Sequence, residues 1–219
     1  ESGGGQLLPP AEEGGPPAVD PLADLPTPDQ LVRPPQGGNT AQVITTDTPL
    51  EPLEPGVYPN IDVQSGTLIL KAGVYVVTDS QPGHPGFAVR NGAHVKGDGA
   101  TIYLACQDYP APCGGNGTWF RLENGGEFDV APPSVEEYAG LSIFADKDNT
   151  RSIELLGGVT LEGAVYAASA PLFVNSPDLV QINALVAVGR LLKANTGQLV
   201  VDYDPASPLI GIGRPVLIR

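Results

Sequence analysis

Five carboxylates in the second half of the chain, Asp129, Asp146, Asp148, Glu154 and Glu162, are the residues best suited by type to do chemistry. Glycoside hydrolysis needs two or three such groups converging on one face, with acid and base or nucleophile roughly 5–9.5 Å apart. None of the five belongs to an Asp-Asp pair or stands beside a histidine, and no Arg-x-Lys substrate clamp follows them. A lyase would add Ca²⁺ and a base on one face, whereas the bases here are scattered. The run Asp146-Lys147-Asp148-Asn149-Thr150-Arg151 offers two carboxylates and an amide at a spacing of two, hard oxygen ligands of the kind Ca²⁺ takes. A solvated turn, with Asp and Asn bonded to their own backbone, accounts for the same run. Asp146 and Asp148 are thus the candidate metal ligands, and Ca²⁺ is the one cofactor the residue types suggest. No Gly-rich phosphate loop followed by Lys and no nucleophile elbow is present. The expectation is a protein without catalytic activity, with a polysaccharide hydrolase or lyase as the alternative.

Cys106 and Cys113 bracket the loop CQDYPAPC. A disulfide there would pin a Pro-rich excursion that has no core of its own, in an oxidising compartment. The two histidines, His84 and His94, stand in other turns without ligand spacing, which argues against a thiolate metal site. The same insertion, 106–118, ends at the only Trp, Trp119. Tyr109 and Trp119 form a candidate loop patch for a glycan; the competing role for Trp119 is to pack the loop down.

The elements that must position these residues repeat. Segments 55–63, 67–77, 87–104, 120–130, 153–166, 172–188 and 191–203 each carry apolar-x-apolar strands separated by small turns such as Arg90-Asn91-Gly92 and Glu123-Asn124-Gly125-Gly126. The starts at 153, 172 and 191 are 19 apart. Such a period predicts a single-stranded right-handed parallel β-helix, whose coils each leave an apolar face that only neighbouring coils cover. The body is expected over 55–205, and 206–219 is expected to cap its open end or to form an edge that another subunit meets. With 28 Gly, 24 Pro and no Met, almost no helix is expected. Tyr58, Tyr75, Tyr103 and Tyr166 each follow an apolar residue late in a strand, which suggests one stacked column. Two insertions, 106–118 and 131–140, interrupt the repeat and are where loops would carry specificity.

Residues 1–54 differ in composition. They are rich in Pro, Gly and acids, without a periodic apolar stripe, and read as an extended arm. Leu7, Leu8, Leu22, Leu25, Leu31 and Val32 are its candidate contacts. Docked on its own β-helix or on a neighbouring subunit, such an arm would add main-chain pairing and apolar burial. Both destinations stay open.

Charge and hydropathy limit the partners. Twenty-five Asp and Glu against 11 Lys and Arg give a net charge of −14, a field that repels phosphate backbones. Nucleic acid is not an expected partner. No run of 18 apolar residues occurs, so no membrane insertion is expected within this sequence. A start at Glu rather than Met fits a mature secreted product.

The ordered series PLADLPTP, LEPGVYPNIDVQSGTLILKAGVYVV, GAHVKGDGATIYLAC, YAGLSIFADKDNT, LLGGVTLEGAVYAASAPLFV and ALVAVGRLLKANTGQLVVDYD resembles the C-terminal β-helical region of secreted bacterial proteins associated with Tad (Flp) pilus assembly, the TadG-like group. The match runs over about residues 21–204. Ala167-Ala168-Ser169-Ala170 departs from it where a Pro is usual, and the membrane-spanning helix usual at the start of such proteins is absent from this sequence. The resemblance implies an extracellular or cell-surface bacterial protein, structural or adhesive, tied to pili or filaments. Self-association or other surface proteins are then the expected partners, and a glycan-binding module is a second alternative.

Overall fold

The computed structural model describes residues 20, 22–28, 41–45, 51–79, 81, 83–135 and 137–203. Leu7, Leu8, Leu31, Val32 and the segment 206–219 lie outside the described residues. Among the described residues there are only strands, turns and bends, and every strand pairing is parallel. The strands stack as a β-helix whose successive coils cover one another. No helix among them is long and apolar enough to cross a membrane.

Three faces run along the stack. One holds β1 (Gln42–Ile44), β3 (Ile61–Val63), β6 (Phe87–Val89), β9 (Phe120–Leu122), β12 (Ile153–Leu155) and the second half of β14 (Ala164–Asn175). A second holds β2 (Gly56–Tyr58), β5 (Gly73–Val77), β8 (Ala100–Leu104), β11 (Leu141–Ala145) and the first half of β14. β16 (Val186–Ala194) pairs with both halves of β14, with a register break between Ala167 and Pro171, and so continues both faces. The third face is split. β4 (Thr67–Leu70), β7 (His94–Asp98) and β10 (Glu127–Ala131) form one sheet, and β13 (Val159–Glu162), β15 (Val180–Asn183) and β17 (Leu199–Val201) form another.

The spacing of 19 is a stacking register. Ile153 lies against Leu172, and Leu172 against Leu191, in neighbouring strands. The same inward column contains Ile61, Phe87 and Phe120. The rings of Phe87 and Phe120 stack at 5.2 Å and 10°, and Phe128 meets both edge-on from the split face. Offset and edge-to-face pairs of this kind add to the burial of aromatic area. At the turns, Asn91 and Asn124 take φ of 56° and 51°, each followed by a glycine at positive φ. The Gly92 amide donates to the Asn124 carbonyl at 3.0 Å, so the two turns stack as the strands do. Asn tolerates this left-handed backbone better than other side chains.

Two expectations shift. β1 belongs to the sheet and Leu53 bridges Leu70, so the β-helix begins inside the 1–54 span assigned to the arm. The four tyrosines do not form one column. Tyr58 and Tyr75 belong to the interior, 6.2 Å apart, whereas Tyr103 and Tyr166 point outward into a second apolar cluster. The reason is pleat parity, because neighbouring residues of one strand face opposite sides.

Candidate functional site

The outward pleat positions distinguish the faces. On the β1-containing face they include Asp62, Arg121 and Glu154, and on the split face Ile69, Lys96 and Asp129. On the β2-containing face the corresponding column reads Val57, Val76, Tyr103, Phe144, Tyr166 and Ala187. Every residue of β8 and of β11 is buried, which a single-layered face could not achieve. This outer surface is a groove, and Asp20 and residues 22–28 of the same chain lie in it.

Both insertions wall the groove. The loop after β10 brings Tyr138 to 5.8 Å from the Phe144 ring, and the loop after β8 brings Tyr109 to 6.1 Å from Tyr103. Phe144 in turn meets Tyr103 at 4.9 Å and Tyr166 at 5.4 Å. Leu22 is 6% exposed within this cluster, and Leu25 packs at its margin.

Polar contacts hold the seated segment. The Tyr166 hydroxyl donates to Asp20 Oδ2 at 2.7 Å, while Asp20 Oδ1 accepts the Leu22 amide at 2.9 Å. Tyr138 donates to the Pro26 carbonyl at 3.1 Å and Tyr109 to the Pro28 carbonyl at 2.7 Å. Lys147 Nζ donates to the Ala23 carbonyl. Among Asp20 and residues 22–28, backbone-to-backbone hydrogen bonds run within the segment, Ala23 to Asp20 and Leu25 to Leu22. Docking in these residues therefore proceeds through side-chain donors rather than through the strand addition expected of the arm. Proline explains the difference: it has no N–H to offer a strand ladder, but its carbonyl still accepts.

Burial raises the pKa of both Tyr166 and Tyr103, and the hydrogen-bonded carboxylates of Asp20 and Asp146 raise them further. The hydroxyls are thereby kept as donors.

Asp146 is committed to the scaffold. Its Oδ2 accepts from Tyr103 at 2.8 Å, and its Oδ1 accepts the amides of Asp148 at 2.9 Å and Cys113 at 3.4 Å. Asn149 is fully buried and donates to the Leu104 and Thr118 carbonyls at 3.1 and 2.9 Å. The 146–151 run is thus a hydrogen-bonded turn that ties two coils and the Cys113 loop together. Asp148 is exposed, and its carbonyl accepts the Gly115 amide at 3.2 Å. Among the described residues, no group of three or more His, Cys, Asp or Glu is placed to hold a metal ion.

Cys106 and Cys113 are both buried free thiols in this structure. Burial pushes the Cys113 thiol up, and the adjoining Cys106 and Asp146 raise it further. The disulfide expected from the sequence is not formed here. Tyr109 and Trp119 take different surroundings. Tyr109 faces the arm, whereas the Trp119 ring carries the Arg121 guanidinium 4.6 Å from its centroid, beside the Glu154 carboxylate at 2.7 Å from Arg121.

The remaining acids gather at the break in the split face. An open cleft of about 470 Å³ between β10 and β13 is lined by Glu127, Asp129, Thr160 and Glu162 over a floor of Phe128 and Val159. All three carboxylate residues are exposed, Glu127 lies 3.2 Å from His94, and Glu162 accepts from Asn183 at 2.8 Å. The cleft is open, so its carboxylates face solvent.

Sequence reasoning missed Asp20, Tyr138, Phe144 and Lys147 as groove residues. The signal was there in the unbroken runs ATIYL and LSIFA, since strands buried on both faces read as continuous rather than alternating apolar segments. Comparison of the chain with protein-family models, curated proteins and solved structures finds no match.

Proposed function

We propose that this chain is a non-enzymatic structural or adhesive protein of the bacterial cell surface, associated with pili or filaments, in which a stiff β-helix presents its loops and arm for self-association or contact with other surface proteins. One observation carries the reading: the two insertions and the outer column of the β2-containing face are spent on gripping Asp20 and residues 22–28, not on building a substrate site. The extracellular setting is supported by the resemblance described above. Within this reading, Cys106 and Cys113 oxidise to a disulfide after export. Their two S–H bonds give up two protons and two electrons to a small-molecule disulfide or an exported thiol oxidoreductase.

The test is electron microscopy and light scattering of the whole chain, together with a broad polysaccharide panel. Ordered oligomers or filaments, with no release of reducing ends or unsaturated sugars, are expected. Turnover that disappears in Asp129→Asn or Asp146→Asn would replace the reading with a hydrolase or lyase. Saturable polysaccharide binding lost in Trp119→Ala would replace it with a glycan-binding module.

A further inference from the structure

We infer that the Cys106 and Cys113 pair is a redox latch on the groove: oxidation to the disulfide tightens the grip on Asp20 and residues 22–28, and reduction loosens it. This rests on the reading of the protein as an exported surface component, and it adds the regulation of its groove.

The loop between the two cysteines holds one of the segment's two anchors. Leu22 and Pro28 are the buried residues among Asp20 and residues 22–28. Leu22 sits in the aromatic cluster, whereas the Pro28 carbonyl accepts from Tyr109 at 2.7 Å. Tyr109 stands three residues after Cys106 and four before Cys113. Gln107, Asp108 and residues 110–112 are all exposed, so Tyr109 is the one side chain of this loop tip that is even half-buried. The backbone bonds of the tip are local turns, Tyr109 to Cys106 at 3.0 Å and Ala111 to Asp108 at 2.9 Å. Ties to the β-helix come only after the tip. There the Cys113 amide donates to Asp146 Oδ1 at 3.4 Å, a long hydrogen bond, and the Gly115 amide to the Asp148 carbonyl at 3.2 Å.

The cysteines are placed to close this tip into a ring. Both are buried, and the Cys113 thiol adjoins Cys106. Oxidation breaks two S–H bonds and forms one Sγ–Sγ bond, giving up two protons and two electrons. Glutathione disulfide accepts them and leaves as two glutathione thiols. The product is a ring of eight residues with Tyr109 near its middle. Cross-linking removes conformations in which the tip swings away, and those are the conformations that release Pro28. A segment that seats on an ordered loop gives up less freedom than one that must order it. Oxidation therefore raises the equilibrium constant for seating, and by linkage seating favours the disulfide by the same factor.

The test uses the whole chain, equilibrated with reduced glutathione or with glutathione disulfide and checked by intact mass. Hydrogen exchange of the Leu25 amide, which donates to the Leu22 carbonyl, reads the seating constant. Its protection should be at least about fivefold greater in the oxidised chain, the lower end of ordinary coupling between sites. In Tyr109→Ala the disulfide should still form while this difference disappears, a result that a general stiffening of the β-helix would not produce. In Leu22→Asp, whose segment cannot seat, the glutathione equilibrium should move toward the thiols by the same factor. Should circular dichroism show that variant unfolded, Leu25→Asp at the groove margin serves in its place. Equal Leu25 protection in the two redox forms would overturn the inference. So would a difference that persists in Tyr109→Ala, or thiols that stay unpaired in glutathione disulfide. Filaments seen by electron microscopy alongside equal protection would remove the latch and keep the structural reading.

Discussion

The Tyr166 hydroxyl lies 2.7 Å from the carboxylate of Asp20, 146 residues earlier in the chain. Through this bond β14, the next-to-last strand of its face, holds the segment that contains Asp20. A hydrogen bond to a charged group contributes about 1.5–3 kcal/mol net, with the lower end fitting a half-buried Asp20. Tyr166→Phe should therefore lower the equilibrium constant for seating roughly tenfold. The Leu25 amide, which donates to Leu22 within the segment, should exchange its hydrogen faster by that factor. The Phe87 amide in the core should keep its protection.

Alkaline pH should loosen the molecule. Burial raises Tyr58 to about 12 and pushes Tyr75, Tyr103 and Tyr166 up as well, against about 10 for an unfolded tyrosine. A raised folded value means that the folded state holds the phenolic proton more tightly. The associated stability is fully present below about pH 10 and is lost as pH rises through the folded values. The urea midpoint should thus fall steeply above about pH 10 for reasons traceable to these tyrosines, with the tyrosinate absorbance of these four rising only as the chain unfolds. Free titration of Tyr58, Tyr75, Tyr103 and Tyr166 in the folded state would contradict this.

Gly117→Ala should damage the corner that carries Asn149. A Cβ at Gly117 would come within 2.1–2.6 Å of the Asn149 amide group, which bonds two carbonyls of neighbouring coils. Overpacking together with the loss of one buried hydrogen bond costs about 3 kcal/mol. Chemical denaturation of the variant should show that loss, and an unchanged midpoint would refute the role given to Asn149.

Arg121 joins Glu154 and Trp119 on the outside of the β1-containing face. It approaches Glu154 at 2.7 Å, with its Nε also donating at 2.8 Å, and it covers the indole. Arg121→Ala should cost about 1–2 kcal/mol in low salt and less in high salt, since a partly exposed pair is screened. Denaturation at two ionic strengths checks both signs, and Trp119 fluorescence should shift to the red.

If Cys106 and Cys113 pair outside the cell, the oxidised chain should be lighter by two hydrogens and more stable by about 2 kcal/mol, the value for so short a loop. Intact mass with and without reductant, followed by denaturation of each form, tests this. Two alkylatable thiols in protein secreted under oxidising conditions would count against it.

The coil repeat was legible because inward columns impose themselves on the sequence. Ile153, Leu172 and Leu191 recur at 19 because each must lie over the last, and Asn91-Gly92 and Asn124-Gly125 recur because the turn demands a left-handed backbone. Asp146 and Asn149 were visible as a turn, and the Ca²⁺ alternative weakened only when both Asp146 oxygens were found engaged by Tyr103, Asp148 and Cys113. What tertiary structure alone decided is the fate of the outward positions. Alternation tells which side of a strand a residue faces, and not whether that side meets water or a second layer. Tyr103, Phe144 and Tyr166 became a groove because Asp20, Leu22, Tyr109 and Tyr138, distant in sequence and carried on segments without a repeat, converge on them. No local periodicity encodes that convergence, since it comes from the burial of an apolar face by whichever part of the chain the coils bring within reach.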